Sequence, residues 1–266
     1  MNLYIMSRGR AGKVKTWENL SPSLRQMAYI VVSANEYPQY ARAYPEANIH
    51  VCDDWVKNYS DKFEYILEDG THDGHYKCVI MDDDLRFATR EGDKLLAVAT
   101  KDQLIKLEDA FFSLREHLDH VPLASFHPRM MAQDKPLPYV ENGKVICMQA
   151  INREAVKGVY VKTFPILADV ALNLWVLSRG LGNRLLTDVV LDFGSCQAPG
   201  GCSLTRTAEM QKQAVQYYAA LYDPYFKEVR KKPKGENWLA DEEGYRTDFR
   251  CQWKKLNEDA PYRIEP

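Results

Sequence analysis

Apolar residues along this chain fall into two rhythms that alternate through its first third. Short unbroken runs at residues 3–6, 29–33, 48–52 and 78–81 are rich in Ile, Val and other strand formers, as strands covered on both faces are. Between them the apolar positions spread to helical spacing. Residues 16–25 can form a short helix, Asn35, Glu36, Tyr37 and Tyr40 open a second, and over 53–67 Trp55, Tyr59, Phe63 and Ile66 recur three and four apart. Strand alternating with helix predicts an α/β fold built on a mostly parallel central sheet with helices against it.

The later pattern is less regular. Residues 100–119 read as a long amphipathic helix with Leu104, Leu107, Ala110, Phe111 and Leu114 on one face. Residues 128–144, rich in Pro, Met and charge, read as a mobile loop over the ligand end of the sheet. A strand is expected over 145–151, a helix over 170–178 closed by Arg179 and Gly180, a late strand over 185–193 and a last helix over 205–221. From Asp223 onward the chain looks irregular and basic. The expected division is a catalytic-sized domain of residues 1–222 with an extension, 223–266, packed on it.

Composition adds bounds. At 266 residues, 45% apolar and 27% charged, the chain suits a soluble globular protein with a substantial core. No run of about 18 apolar residues occurs, so no membrane span is expected. The opening six residues are too short for a signal-peptide core. Cys52, Cys78, Cys147, Cys196, Cys202 and Cys251 show no metal-ligand spacing, and several lie in apolar runs; they read as reduced thiols of a cytoplasmic protein. A net charge of −2 gives no general attraction to nucleic acid, so binding to DNA requires a local basic patch.

Candidate chemistry begins where the run at 78–81 stops at Asp82, Asp83 and Asp84. Carboxylates leaving the carboxyl end of a core strand stand where open α/β sheets bind ligands. Three in a row repel one another unless a cation sits among them, and a divalent metal carrying a phosphate is a common solution. A solvated acidic turn is the bland alternative. The loop after the first strand, Ser7-Arg8-Gly9-Arg10-Ala11-Gly12-Lys13, offers cations and glycines to phosphate, though a surface turn has the same composition and no P-loop spacing is present. Asp169, at the head of the 170–178 helix, reads equally as a general base or as a capping acid favoured by the helix dipole.

Other candidates are weaker. The Gly-rich loop at 194–203, followed by Arg206, can present N–H groups to an anion or a sugar. His117, His120 and His127 are close in sequence but lack an acidic or cysteine partner at metal spacing. Lys227, Arg230, Lys231, Lys232, Lys234, Trp238, Trp253, Lys254 and Lys255 interleave cations with aromatics, which suits nucleic acid and a solvated tail alike. Basic loop, acidic triplet and helix-head acid together describe a site for a metal-bound nucleoside diphosphate, with Asp169 able to take a proton from an acceptor hydroxyl.

In these motifs the chain resembles the GT-A glycosyltransferases, whose D-x-D motif ends a strand and is matched by Asp82 and Asp84. More narrowly it is similar to the TET/JBP-associated glycosyltransferases of phages and some eukaryotes, thought to act on hydroxymethylpyrimidines in DNA. The match runs through Ser7-Arg8-Gly9-Arg10, Met81-Asp82-Asp83-Asp84-Leu85, the Asp169 helix, the stretch 186–206 with its Gly-Gly-Cys-Ser, and Gln252-Trp253-Lys254-Lys255.

The resemblance implies a GT-A-like, Rossmann-like fold and transfer of a sugar from a UDP-sugar to 5-hydroxymethylcytosine or 5-hydroxymethyluracil in DNA. It implies Mn²⁺ or Mg²⁺ on Asp82 and Asp84, and nucleotide-sugar contacts from Ser7, Arg8, Gly9, Arg10, Asp83, Gly200 and Gly201. Asp169 would be the base, and Asp192, Cys202, Ser203 and Arg206 would line a donor or acceptor pocket. Lys231, Lys232, Lys234, Trp253 and Lys254 would meet DNA. No histidine follows His127, so the C-terminal histidine ligand of many GT-A enzymes has no counterpart here, and Asp192 or water would substitute. A glycan or small-molecule acceptor, nucleotidyl transfer and an inactive nucleic-acid-binding module are the competing readings.

Overall fold

The computed structural model describes residues 1–69, 75–132, 137–193, 201–232 and 240–263. Its elements, in chain order, are β1 (Asn2–Met6), α1 (Lys15–Glu18), α2 (Pro22–Gln26), β2 (Ala28–Ser33), α3 (Tyr37–Ala43), β3 (Asn48–Cys52), α4 (Tyr59–Asp69), β4 (Lys77–Asp82), β5 (Leu85–Glu91), β6 (Lys94–Ala97), α5 (Lys101–His117), β7 (Leu123–Pro128), β8 (Tyr139–Glu141) and β9 (Met148–Asn152). There follow α6 (Ala168–Ser178), β10 (Asn183–Phe193), α7 (Ala208–Leu221), β11 (Phe226–Lys231), β12 (Arg246–Cys251) and α8 (Trp253–Asp259).

One sheet runs β3-β2-β1-β4-β9-β7-β10-β5-β6, with β8 added on β10. The pairs from β3 to β4, and β7 with β10, are parallel; β9 lies antiparallel between β4 and β7, and β5, β6 and β8 pair antiparallel. The expected α/β architecture is therefore present. Strand periodicity explains its two cores. Leu3 and Ile5 of β1, with Val79 and Met81 of β4, face a cluster containing Trp17, Leu24, Tyr40, Leu107 and Phe111. Tyr4, Met6, Cys78 and Ile80 face the opposite one, with Phe63, Leu172, Val215, Phe226 and Leu256. Helices on both faces account for the unbroken apolar runs.

Several expected elements differ. The helix expected over 16–25 is two short ones, because Ser21 caps α2 through the Leu24 N–H and Pro22 starts it. The helix expected from residue 53 begins at Tyr59, where Asn58 Oδ1 accepts from the Asp61 N–H at 3.0 Å. The strand expected from residue 145 begins at Met148, since Cys147 has φ +63°, a left-handed conformation that no strand tolerates. The 128–144 stretch contains the short β8 and a 3₁₀ turn at Arg129–Met131. The β5–β6 hairpin, turning at Gly92 with φ +60°, has no counterpart among the expected elements. The basic tail is not irregular: β11 and β12 form a hairpin against α7, and α8 packs on α6. Among the described residues no helix is long and apolar enough to cross a membrane.

Candidate active site

The register of β1 on β4 sets up the site, because Met6 pairs with Asp82 and the loop after β1 leaves the sheet beside the acidic triplet. Thr16 of α1 pins the triplet's backbone: its hydroxyl donates to the Asp82 carbonyl at 2.6 Å and accepts from the Leu85 N–H at 2.9 Å, and its N–H donates to the Asp83 carbonyl at 3.2 Å. Asp83 is buried, accepting from Ser7 Oγ at 2.5 Å and from the Arg10 guanidinium. Arg10 Nη1 also lies 3.1 Å from Asp84 Oδ2. The cation among the three acids is thus a side chain of the chain itself. Burial pushes the Asp83 carboxyl up, and Arg10 and Ser7 pull it back.

Asp82 has no salt bridge among the described residues. Desolvation, then the charges of Asp84 and Asp169, push its carboxyl well above the ordinary carboxylate range. Asp169 reaches the same place from α6, whose preceding residue Leu167 has φ +66°. Asp169 Oδ1 accepts from the Val170 N–H at 2.9 Å. Burial nevertheless outweighs these N–H groups and the nearby Arg206 and Lys144, and its carboxyl is raised. The helix head thus does not leave this acid with the low pKa that its dipole alone suggests. Cys147 links the two acids: its carbonyl accepts from the Asp82 N–H at 2.8 Å, and its presence holds the carboxyls of both Asp82 and Asp169 down against burial. Cys147 and Leu167 are two of four described non-glycine residues with positive φ, and both line the cavity.

That cavity has a volume of about 300 Å³, the size of a small ligand site. Its walls bring together Ser7, Arg8, Arg10, Asp82, Asp83, Asp84, Asp169, Gly201, Cys202, Ser203 and Arg206. Gly9 stands behind them, with φ +66° and its N–H on Glu36 Oε1 at 2.6 Å. The Gly201 N–H donates to the Arg8 carbonyl at 2.9 Å, which fastens the late loop to the first one. Gly200 and Lys234 lie outside the described residues. Asp192 does not line the cavity; its carboxylate is bonded to Arg129 at 2.9 Å, so it does not stand in for a missing histidine ligand. The Cys202 thiol, pushed up to about 12 by burial, is no nucleophile at neutral pH.

The basic tail is placed differently from its expected role. Lys231 is tied to Asp248 at 2.7 Å, Lys232 lies over Tyr245, and Trp253 packs edge-on against Phe249. Lys254, 78% exposed, lies 3.9 Å from Glu258, while Lys227, Arg250 and Lys255 are also exposed. His117 packs on Tyr139 beside Arg184, whereas His127 is buried with Nδ1 3.0 Å from the Pro128 carbonyl, so the histidines form no metal centre.

Sequence reasoning missed part of the wall: Tyr59, Lys144, Cys147, Gln211, Arg246 and Phe249 also face the cavity. Arg206 Nε and Gln211 Oε1 are buried there without a protein partner. An unsatisfied donor, Arg206 Nε, and an unsatisfied acceptor, Gln211 Oε1, beside a cluster of acids suit a ligand that carries both oxygens and hydroxyls. No group of three or more His, Cys, Asp or Glu side chains among the described residues forms a metal cage. A cation held by two carboxylates and a bound phosphate requires none, which fits Asp82 and Asp84.

Residues 1–192 match the family model of TET-associated glycosyltransferases. No curated protein matches the chain. Among solved structures it is similar to mannose-1-phosphate geranyltransferase from Thermus thermophilus, with 7% identity over 72% of this chain and 75% of that one, at a TM-score of 0.48. It is also similar to residues 1–349 of S. aureus TarS, with 11% identity over 82% of this chain and 66% of that one, at a TM-score of 0.45.

Proposed function

Because the chain belongs to the TET-associated glycosyltransferase family, we propose that its cavity transfers a sugar from a UDP-sugar to the hydroxymethyl group of 5-hydroxymethylcytosine or 5-hydroxymethyluracil in DNA. The observation that carries the reading is the convergence of acids from β4 and α6 on one cavity that also holds the buried Arg206 Nε, which has no hydrogen-bond partner among the described residues. Asp82 and Asp84 would hold Mn²⁺ or Mg²⁺, which when bound neutralises charge building on the departing diphosphate. Arg8, Ser203 and Arg206 bind the donor's phosphates and hold it against the acids. Asp169, once deprotonated, accepts the proton of the acceptor hydroxyl, and its raised pKa makes it a stronger base than an exposed aspartate. Phe249 and Lys144 also line the cavity, the ring of Phe249 offering an apolar surface and Lys144 a charge to the bound ligand.

The test is incubation with labelled UDP-sugars, Mn²⁺ and DNA of both kinds. Label is expected on hydroxymethylated DNA alone; equal labelling of unmodified DNA, or none with any donor, overturns the reading. A saccharide acceptor is the second reading. It is favoured by the pairing of the tail's cations with its own acids, Lys231 with Asp248 and Arg230 with Asp241 and Glu243, which leaves less charge for a polyanion. Labelling of a saccharide that DNA does not suppress would establish it.

A further inference from the structure

Arg10 is held more firmly than a phosphate-binding arginine on an open loop. Its side chain is 11% exposed, its guanidinium bridges Asp83 and Asp84, and its N–H donates to Tyr40 Oη at 3.0 Å. Tyr40 Oη is in turn 2.7 Å from Ser7 Oγ, which donates to Asp83. Asp83, only 5% exposed at its side chain, is therefore the anchor of Arg10, whereas Asp84, 21% exposed, is the acid that Arg10 shares with the cavity.

A divalent cation entering alone meets one of its two carboxylates already paired. A diphosphate changes that balance, because a guanidinium fork matches phosphate oxygens as well as it matches a carboxylate. Nη1 makes both contacts, with Asp83 the closer partner, so turning its second N–H from Asp84 to a phosphate keeps the bond to Asp83 and returns a full charge to Asp84.

We infer that Arg10 is a latch on Asp84, closed in the ligand-free protein and opened by the donor's diphosphate, so that the nucleotide primes the acidic triplet for its cation. The inference rests on the nucleotide-donor reading above. Arg10 is then a positioning residue that acts through Asp84, and the middle acid of the triplet anchors the latch and is no metal ligand. By linkage, each ligand tightens the other by the same factor.

The test is Mn²⁺ titration of the full chain by calorimetry or electron paramagnetic resonance, with and without UDP. Arg10→Lys keeps the charge but loses the planar guanidinium that sets Nη1 between the two acids. If Arg10 is a latch, Arg10→Lys binds Mn²⁺ without UDP at least about 5-fold more tightly than the unaltered protein, and UDP enhances it less. The double variant Arg10→Gln with Asp83→Asn removes both ends of the buried pair and leaves no orphan charge to unfold the loop. It is expected to tighten Mn²⁺ as well. A mere charge effect would leave Arg10→Lys like the unaltered protein, and that result, or weaker binding in both variants, overturns the latch. Absence of UDP binding with Mn²⁺ present would sink the donor reading instead, while the comparison with Mn²⁺ alone would still judge the latch.

Discussion

Asp82 and Asp169 are expensive to fold around. Both line the cavity close to other carboxylates, and both carboxyls are raised, chiefly by burial. A carboxyl raised in the folded state binds its proton more tightly there than in the unfolded chain. Its contribution to stability is thus fully present below the unfolded pKa and is lost as the pH rises from there through the folded pKa. At neutral pH the ligand-free protein carries that penalty. Asp82→Asn is therefore expected to raise the Tm of the ligand-free protein by a few degrees at pH 7 while abolishing sugar transfer; a lowered Tm would show that the charge is compensated. For Asp169→Asn a loss in kcat of about 10²–10⁴ is expected, the usual worth of a general base. The acid limb of the unaltered enzyme's pH–rate profile should have its midpoint above the usual aspartate value of about 3.9, and the Asn variant should lack that limb.

At the scale of elements, the acidic triplet works because β1, β4 and α1 hold it from three directions. The loop after β1 turns at Gly9 with φ +66°, and a β-carbon there would lie 3.1 Å from Leu204 Cδ1. Gly9→Ala is expected to cost about 1–2 kcal/mol in urea denaturation, the penalty of a left-handed backbone for an L-residue. A neutral result would mean that the loop reshapes freely. The same elements show what a sequence makes legible. β1, β2 and β4 are buried on both faces, so their apolar runs are unbroken and the acids that end β4 stand out. The β11–β12 hairpin leaves no such trace, because few of its positions are fully buried and its charges are paired only in three dimensions, Lys231 and Arg246 on Asp248. Thr16 and Cys147, which position the acids, carry no motif; their roles follow from a register and a left-handed turn that periodicity does not encode.

On the scale of the whole molecule, the family match ends at residue 192, yet the cavity does not. Cys202, Arg206 and Gln211, and Arg246 and Phe249 on β12, complete its walls. Phe226 and Leu256, both fully buried, belong to the same core cluster as Tyr4 of β1 and Leu172 of α6, so the described residues after 223 share a core with the rest. Deleting residues 223–266 is therefore expected to yield a chain that fails to fold, seen as loss of a cooperative thermal transition; a truncated chain that still binds UDP would show the N-terminal part to be self-sufficient. The edge-on contact of Trp253 with Phe249, 6.4 Å between ring centroids, has an optical corollary. Phe249 lines the cavity and Trp253 stands directly behind it, so this indole is a built-in emission reporter of occupancy. Ligand entry that shifts the Phe249 ring should register as a change in fluorescence that Trp253→Phe removes.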